Sequence, residues 1–160
     1  MAGTMQKTIG ILVATTVLLA GQAVAEDKWL KKRDPEELFA YVDIHECPLS
    51  TDEVTERVHS TLVRSRIKPL TEWRSGDVVL YVVLDCTSDT TDTWVFNQTV
   101  MLAKIKNEGR DGVIVSFRHD DQFHTFGKGG EPFIRENLNK AIDAAFMNYL
   151  NANFDLEPDD

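Results

Sequence analysis

The sequence has no Cys-x-x-Cys pair, no cysteine near its early apolar stretch, and no apolar run long enough to cross a bilayer. A dithiol redox enzyme would need two close thiols, so that class is disfavoured. A lipoprotein anchor would need a cysteine at the leader's end, so none is expected. A spanning helix needs ~20 apolar residues, and the stretch from Thr8 to Leu19 supplies 12. Positive charge is also scarce, with 17 Lys and Arg against 26 Asp and Glu and a formal net charge of -9. Nucleic-acid affinity comes largely from neutralising phosphates, so nucleic acid is not an expected partner.

What is present begins with a leader. Lys7 gives a weak positive start, Thr8 to Leu19 an apolar core, and Ala23-Val24-Ala25 a small-x-small cleavage site. Together these read as a secretory signal peptide over residues 1–25, with Glu26 as the mature amino terminus. Loss of Lys7 and no acid moves the formal charge from -9 to -10. The expected location is periplasmic or secreted, with no stable membrane span after cleavage. The remaining chain has the length of one domain.

A polar arm is expected over residues 26–37 and an acidic tail over 155–160, with a single α+β domain between them at 38–154. Leu38 to Glu46 carries Phe39, Tyr41, Val42 and Ile44 and reads as a strand. Ser50 followed by Glu53 has capping-box spacing, and Val54, Val58, Leu62 and Ile67 continue an apolar stripe toward Pro69. That helix is expected to leave helical geometry only at Lys68, placing Arg64, Arg66 and Lys68 in its last turn.

Val78 to Leu84 is almost wholly Val, Leu and Tyr, which predicts a central strand covered on both faces. A loop is expected over Thr87 to Thr93, then a strand from Trp94 to Ile105, a hairpin turn over Asn107 to Gly112, and a returning strand from Val113 with a kink at Asp120-Asp121. Pro132 suits a helix's first turn, and Ile134, Leu138, Ala141, Ile142, Ala145, Phe146, Tyr149 and Leu150 make a broad stripe. The order βαβββα implies a small mixed, mainly antiparallel sheet with two helices packed on one face.

Cys47 and Cys86 fall at the ends of the first two predicted strands. A right-handed strand-helix-strand unit sets such strands parallel and brings both ends to one sheet edge. A single Cys47–Cys86 disulfide is therefore expected, closing a loop of about 40 residues for ~4 kcal/mol on the chain-entropy argument.

Several clusters invite a chemical reading. His119, Asp120, Asp121 and His124 offer imidazoles and carboxylates at the kink, a weak periplasmic metal-site candidate in the absence of a signature spacing. Asp43, His45 and Cys47 share one strand face, an order that suggests a small hydrolase. Neighbours on one strand face lie ~7 Å apart, however, and a bonded Cys47 is no nucleophile. Gly127, Gly129 and Gly130 precede a helix, but Glu131 disfavours a phosphate there. The Trp94 and Phe96 stripe reads as core. No catalytic residue and no cofactor are expected. Arg57, Arg64, Arg66 and Lys68, together with Arg74, are the one basic stretch of the folded part, and the first four are the partner-binding candidates for an envelope protein or anionic envelope component.

The predicted order of elements resembles that of small envelope accessory domains, such as those of outer-membrane assembly lipoproteins and activators of cell-wall synthases, across about Leu38 to Asn153. The resemblance is one of topology and implies an interaction module. The sequence-based expectation is an exported, non-catalytic binding or accessory protein of the bacterial envelope.

Overall fold

The computed structural model describes residues 29–107 and 113–154 and, within them, not the side chains of 107, 113, 114 and 117–121. The leader expected at 1–25, the hairpin turn expected at 107–112 apart from residue 107, and the acidic tail expected at 155–160 lie outside the described residues. The elements are β1 (Glu37–His45), α1 (Thr51–Arg64), β2 (Lys68–Leu70), β3 (Val78–Thr90), β4 (Thr93–Asn107), β5 (Val113–Gly129) and α2 (Glu131–Asn153). The strands form one mixed sheet in the order β2-β1-β3-β4-β5. β1 is parallel to β2 and β3, while β3, β4 and β5 run antiparallel.

Side chains alternate across a strand, so each strand feeds two layers. Leu80, Val82 and Leu84 of β3 join Phe96, Val100 and Leu102 of β4 beneath both helices. Into that core α1 inserts Val54, Val58 and Leu62, and α2 inserts Ile134, Leu138, Ile142, Phe146 and Tyr149. Leu30 also belongs to it, and the Tyr149 hydroxyl donates to the Pro35 carbonyl at 2.6 Å, which ties residues upstream of β1 to α2. On the opposite face Val79, Met101, Ala103 and Ile105 make a smaller cluster under Trp73.

Local chemistry explains the helix limits. Ser50 caps α1 by accepting the Glu53 amide at 3.2 Å. The Glu53 carboxylate, expected to turn back onto the cap, pairs with Arg135 of α2 instead. The helix stops at Arg64, earlier than Pro69 implied. Arg66 takes a left-handed φ of 61°, its amide reaches Val63 O at 3.0 Å, and the Ile67 amide reaches Leu62 O at 2.9 Å. This is a Schellman ending sealed by the buried Ile67 and Leu62 side chains. Arg66 and Lys68 are therefore outside the last turn, and Lys68 opens the edge strand β2, where Pro69 is tolerated at the sheet's rim.

The segment expected as a loop at Thr87 to Thr93 is a strand extension on both sides of a tight turn, with Ser88 opposite Trp94 and Thr90 opposite Thr93. Between Met101 and Ala103 the partner on β5 jumps from Gln122 to Phe117, so extra β5 residues bulge out where the kink was expected. The Cys47–Cys86 disulfide forms, with an S–S distance of 2.01 Å and a Cα separation of 4.9 Å. The parallel register sets Ile44 opposite Leu84 and His45 opposite Asp85, which delivers both sulfurs to one place.

Candidate functional site

Among the described residues the helices leave one sheet face uncovered beyond Trp73, and alternation along β1, β3, β4 and β5 fills it. In successive rows stand Tyr41, Tyr81 and Met101, then Asp43, Val83, Thr99 and His124, then His45, Asp85, Asn97 and Phe126. The rings of Tyr41 and Tyr81 stack with centroids 4.9 Å apart and planes within 7°. Asp43 accepts the Tyr41 hydroxyl at 3.1 Å and lies 3.0 Å from His45 Nε2. Thr99 Oγ1 and His124 Nδ1 meet at 3.0 Å. Burial first, and then the Asp43 carboxylate, push both phenols above the ordinary tyrosine range, so these hydroxyls stay protonated donors. Phe126 is 73% exposed at the β5 end of the face.

Asp43 and His45 touch, contrary to the expectation that same-face strand neighbours stay apart. The same holds for Tyr41 and Asp43 in mid-strand: backbones ~7 Å apart are within the combined reach of two long side chains that lean toward each other. The third member of that series, Cys47, is bonded to Cys86 and has no thiolate to offer. What remains is a carboxylate flanked by an imidazole and two phenols on an open surface. It can recognise polar groups by paired donors and acceptors.

The metal candidates divide. His124 is engaged by Thr99, while the side chains of His119, Asp120 and Asp121 lie outside the described residues. Among the described residues no group of three His, Cys, Asp or Glu side chains converges. The glycines ahead of α2 serve packing: a Cβ on Gly127 would stand 2.9 Å from the Phe96 ring, and one on Gly129 would stand closer still to the Phe133 ring. Glu131 pairs with Arg135 in the helix's first turn. Phe96 is buried and Trp94 packs partly buried against the same core.

The basic stretch is spread over α1, the turn after it, β2 and the loop that leads to β3. Arg57 Nη2 donates to both carboxylate oxygens of Asp143 of α2, at 3.0 and 3.2 Å, while its Nη1 reaches Thr61. Arg64 folds back on the Ser60 carbonyl, Arg66 sits in the turn after α1, and Lys68 pairs with Glu37 at 2.9 Å. Arg74 joins the same acidic edge through Glu37 and Asp34. Carboxylates supplied by α2 and β1 thus neutralise much of what looked like a free basic patch, because sequence spacing does not reveal which acids another element brings.

One polar side chain was not singled out in the sequence. Gln98 is 1% exposed among apolar neighbours on β4; its amide nitrogen donates to Asn137 O at 3.4 Å, and its oxygen has no partner among the described residues. The Asn137 carbonyl can only accept, which fixes the amide's orientation. Leaving such an acceptor unmatched costs about 1–3 kcal/mol. Its place between Phe96 and Val100 in the strand pattern was the available signal, a polar residue at an inward position.

No protein-family model matches this chain, and no curated protein matches it.

Proposed function

We propose that this chain is an exported, non-catalytic binding protein of the bacterial envelope, and that it engages a protein partner through the uncovered sheet face. The observation that carries this reading is the Tyr41–Tyr81 stack with Asp43 and His45 beside it, a fixed polar-aromatic surface on rigid strands. Aromatic residues with matched polar groups are the usual anchors of protein interfaces, because they bury large area at low entropy cost. Export is supported by the leader ending in Ala23-Val24-Ala25 and by the Cys47–Cys86 bond, a kind of link that persists in oxidising compartments. Among the described residues no helix is long and apolar enough to cross a membrane. The open face ranks above the basic stretch as the docking surface, since Arg57 and Lys68 already hold Asp143 and Glu37.

The test is recovery of the native envelope partner by tagged wild-type protein and by a Tyr41→Ser, Tyr81→Ser variant. The variant should keep its disulfide and lose the partner, whereas Arg57→Glu, Arg64→Glu should keep it. Partner retention by the tyrosine variant and loss by the arginine variant would transfer the site to α1.

A further inference from the structure

The open sheet face is charged as well as aromatic. Its three central rows carry the carboxylates of Asp43 on β1 and Asp85 on β3 and, among the described residues, no lysine or arginine. Cations toward the two ends of the face are matched by acids, Lys128 with Asp89 at 2.5 Å and Lys68 and Arg74 with Glu37 at 2.9 and 3.1 Å. Asp85 is exposed and has no cation beside it among the described residues. Asp43 is engaged through one oxygen: its Oδ2 accepts the Tyr41 hydroxyl at 3.1 Å and lies 3.0 Å from His45 Nε2, which leaves Oδ1 without a partner among the described residues. The phenol is neutral, and even a protonated His45 leaves the two carboxylates and the imidazole net negative. Burial first, and then both carboxylates, hold the Tyr81 hydroxyl protonated, so the two charges converge on the aromatic pair.

The ring beside Asp43 has one face to spare. Tyr41 rests on Tyr81 on one side, while on the other β2 pairs only with Glu37–Phe39 and no strand stands next to it. A ring face next to a carboxylate suits a guanidinium, which stacks on the ring while its planar N–H groups reach the oxygen; an ammonium is a point charge and meets only part of this site. Asp43 and Asp85 are one strand and one row apart, about 8 Å from the ~4.8 Å between strands and the ~6.6 Å rise of two residues. Alternate side chains of an extended chain are separated by nearly the same distance, ~7 Å. Over longer range the net charge of -9 draws a cationic partner and opposes a second copy of this chain.

We infer that the partner presents a basic, arginine-bearing segment to the open face, with one guanidinium on the outer face of the Tyr41 ring at Asp43 Oδ1 and a second cation, two residues away, at Asp85. This rests on the reading of the open face as the docking surface and gives the partner its chemistry.

The test titrates the oxidised full-length protein, labelled for NMR, with three synthetic peptides of about ten residues, strand length. They are identical and neutral except at two sites separated by one residue, which hold Arg, Lys or Glu. The Arg peptide should shift the amides of residues 41–45 and 81–85 and bind about threefold more tightly than the Lys peptide. It should bind about tenfold more tightly than the Glu peptide at low salt, with that gap shrinking at high salt. The double variant Asp43→Asn, Asp85→Asn removes two charges and keeps an acceptor for the Tyr41 hydroxyl. Its affinity for the Arg peptide should fall about tenfold, with thermal midpoint and disulfide unchanged. Asp85→Asn alone, which breaks no described contact, should lower it about threefold. Failure of the Arg peptide to bind, binding equal to that of the Glu peptide, shifts confined to the helices, or full affinity in the double variant would overturn the inference. Recovery of the native envelope partner separates the two levels: if the tyrosine variant loses it and the asparagine variant keeps it, the open face stands as the docking surface and the basic partner falls. If neither variant loses it, the docking reading falls and the inference with it.

Discussion

Along β3, Leu80, Val82 and Leu84 are buried, while the residues between them, Tyr81 and Val83, are half-buried and Asp85 is exposed. The two sets lie on one strand and differ only in which face they serve. The helix-covered face is continuous hydrocarbon from Leu38 through Leu84 to Leu102, with Gln98 its one buried polar interruption among the described residues. The opposite face is a small apolar cluster near Trp73 and then mixes tyrosine, aspartate, histidine, threonine and asparagine with Val83 and the exposed Phe126. Stability is therefore concentrated on one side of the sheet, and chemistry able to recognise a partner on the other.

The sharpest way to break this contrast is to truncate neighbours on β3. Leu84→Ala should cost about 2–5 kcal/mol, the range for emptying a fully packed core position, whereas Val83→Ala should cost well under half as much. Urea denaturation of both variants measures the difference. Equal losses would mean that the open face is itself a core covered by something beyond the described residues.

A smaller effect separates the core's polar tie from the open face's phenols. Tyr149 is fully buried, burial followed by the Asp77 carboxylate drives its ionisation far above the ordinary range, and its hydroxyl holds Pro35 O. A group whose folded pKa is raised contributes stability that is fully present below the unfolded tyrosine value of ~10 and is lost as pH rises from there toward the folded pKa. Lys32 opposes this in the same alkaline region: desolvation lowers its folded pKa, so its penalty is relieved as pH climbs through that lowered value toward ~10.4. Tyr149→Phe should cost about 1 kcal/mol at neutral pH. It should also make stability fall less steeply above pH ~10 than in wild type. Denaturation midpoints at neutral and alkaline pH check both parts, and an unchanged alkaline slope would show that Tyr149 does not carry it.

How far the sequence reached follows the same division. The stripes of α1 and α2, the strands around Val78–Leu84 and Trp94–Ile105, and the cysteine pairing were readable because periodicity and parallel crossover geometry act locally or through few contacts. β2 was not, since three residues containing Pro69 have no period, and their strand character comes from lying beside β1. Coverage of β3 on both faces was only half correct: an unbroken Val, Leu and Tyr run does not say where Trp73 stops covering it. The Tyr41–Tyr81 stack joins residues 40 positions apart through the β1–β3 register, so strand reading alone placed Tyr41 on a strand but not beside its partner ring. The basic stretch misled for the complementary reason, because Asp143 and Glu37 come from elsewhere in the chain.

The central claim, that the open sheet face is where this protein meets its partner, is tested most directly by placing a photoreactive residue at Tyr41 or at Val63, both solvent-accessible, and irradiating the protein in its native envelope. Tyr41 stands on the open face at 37% exposure, and Val63 on α1 at 61%. The account predicts a discrete adduct from position 41 and none from position 63, despite the latter's greater exposure. The same adduct from position 63, with position 41 silent, would contradict it.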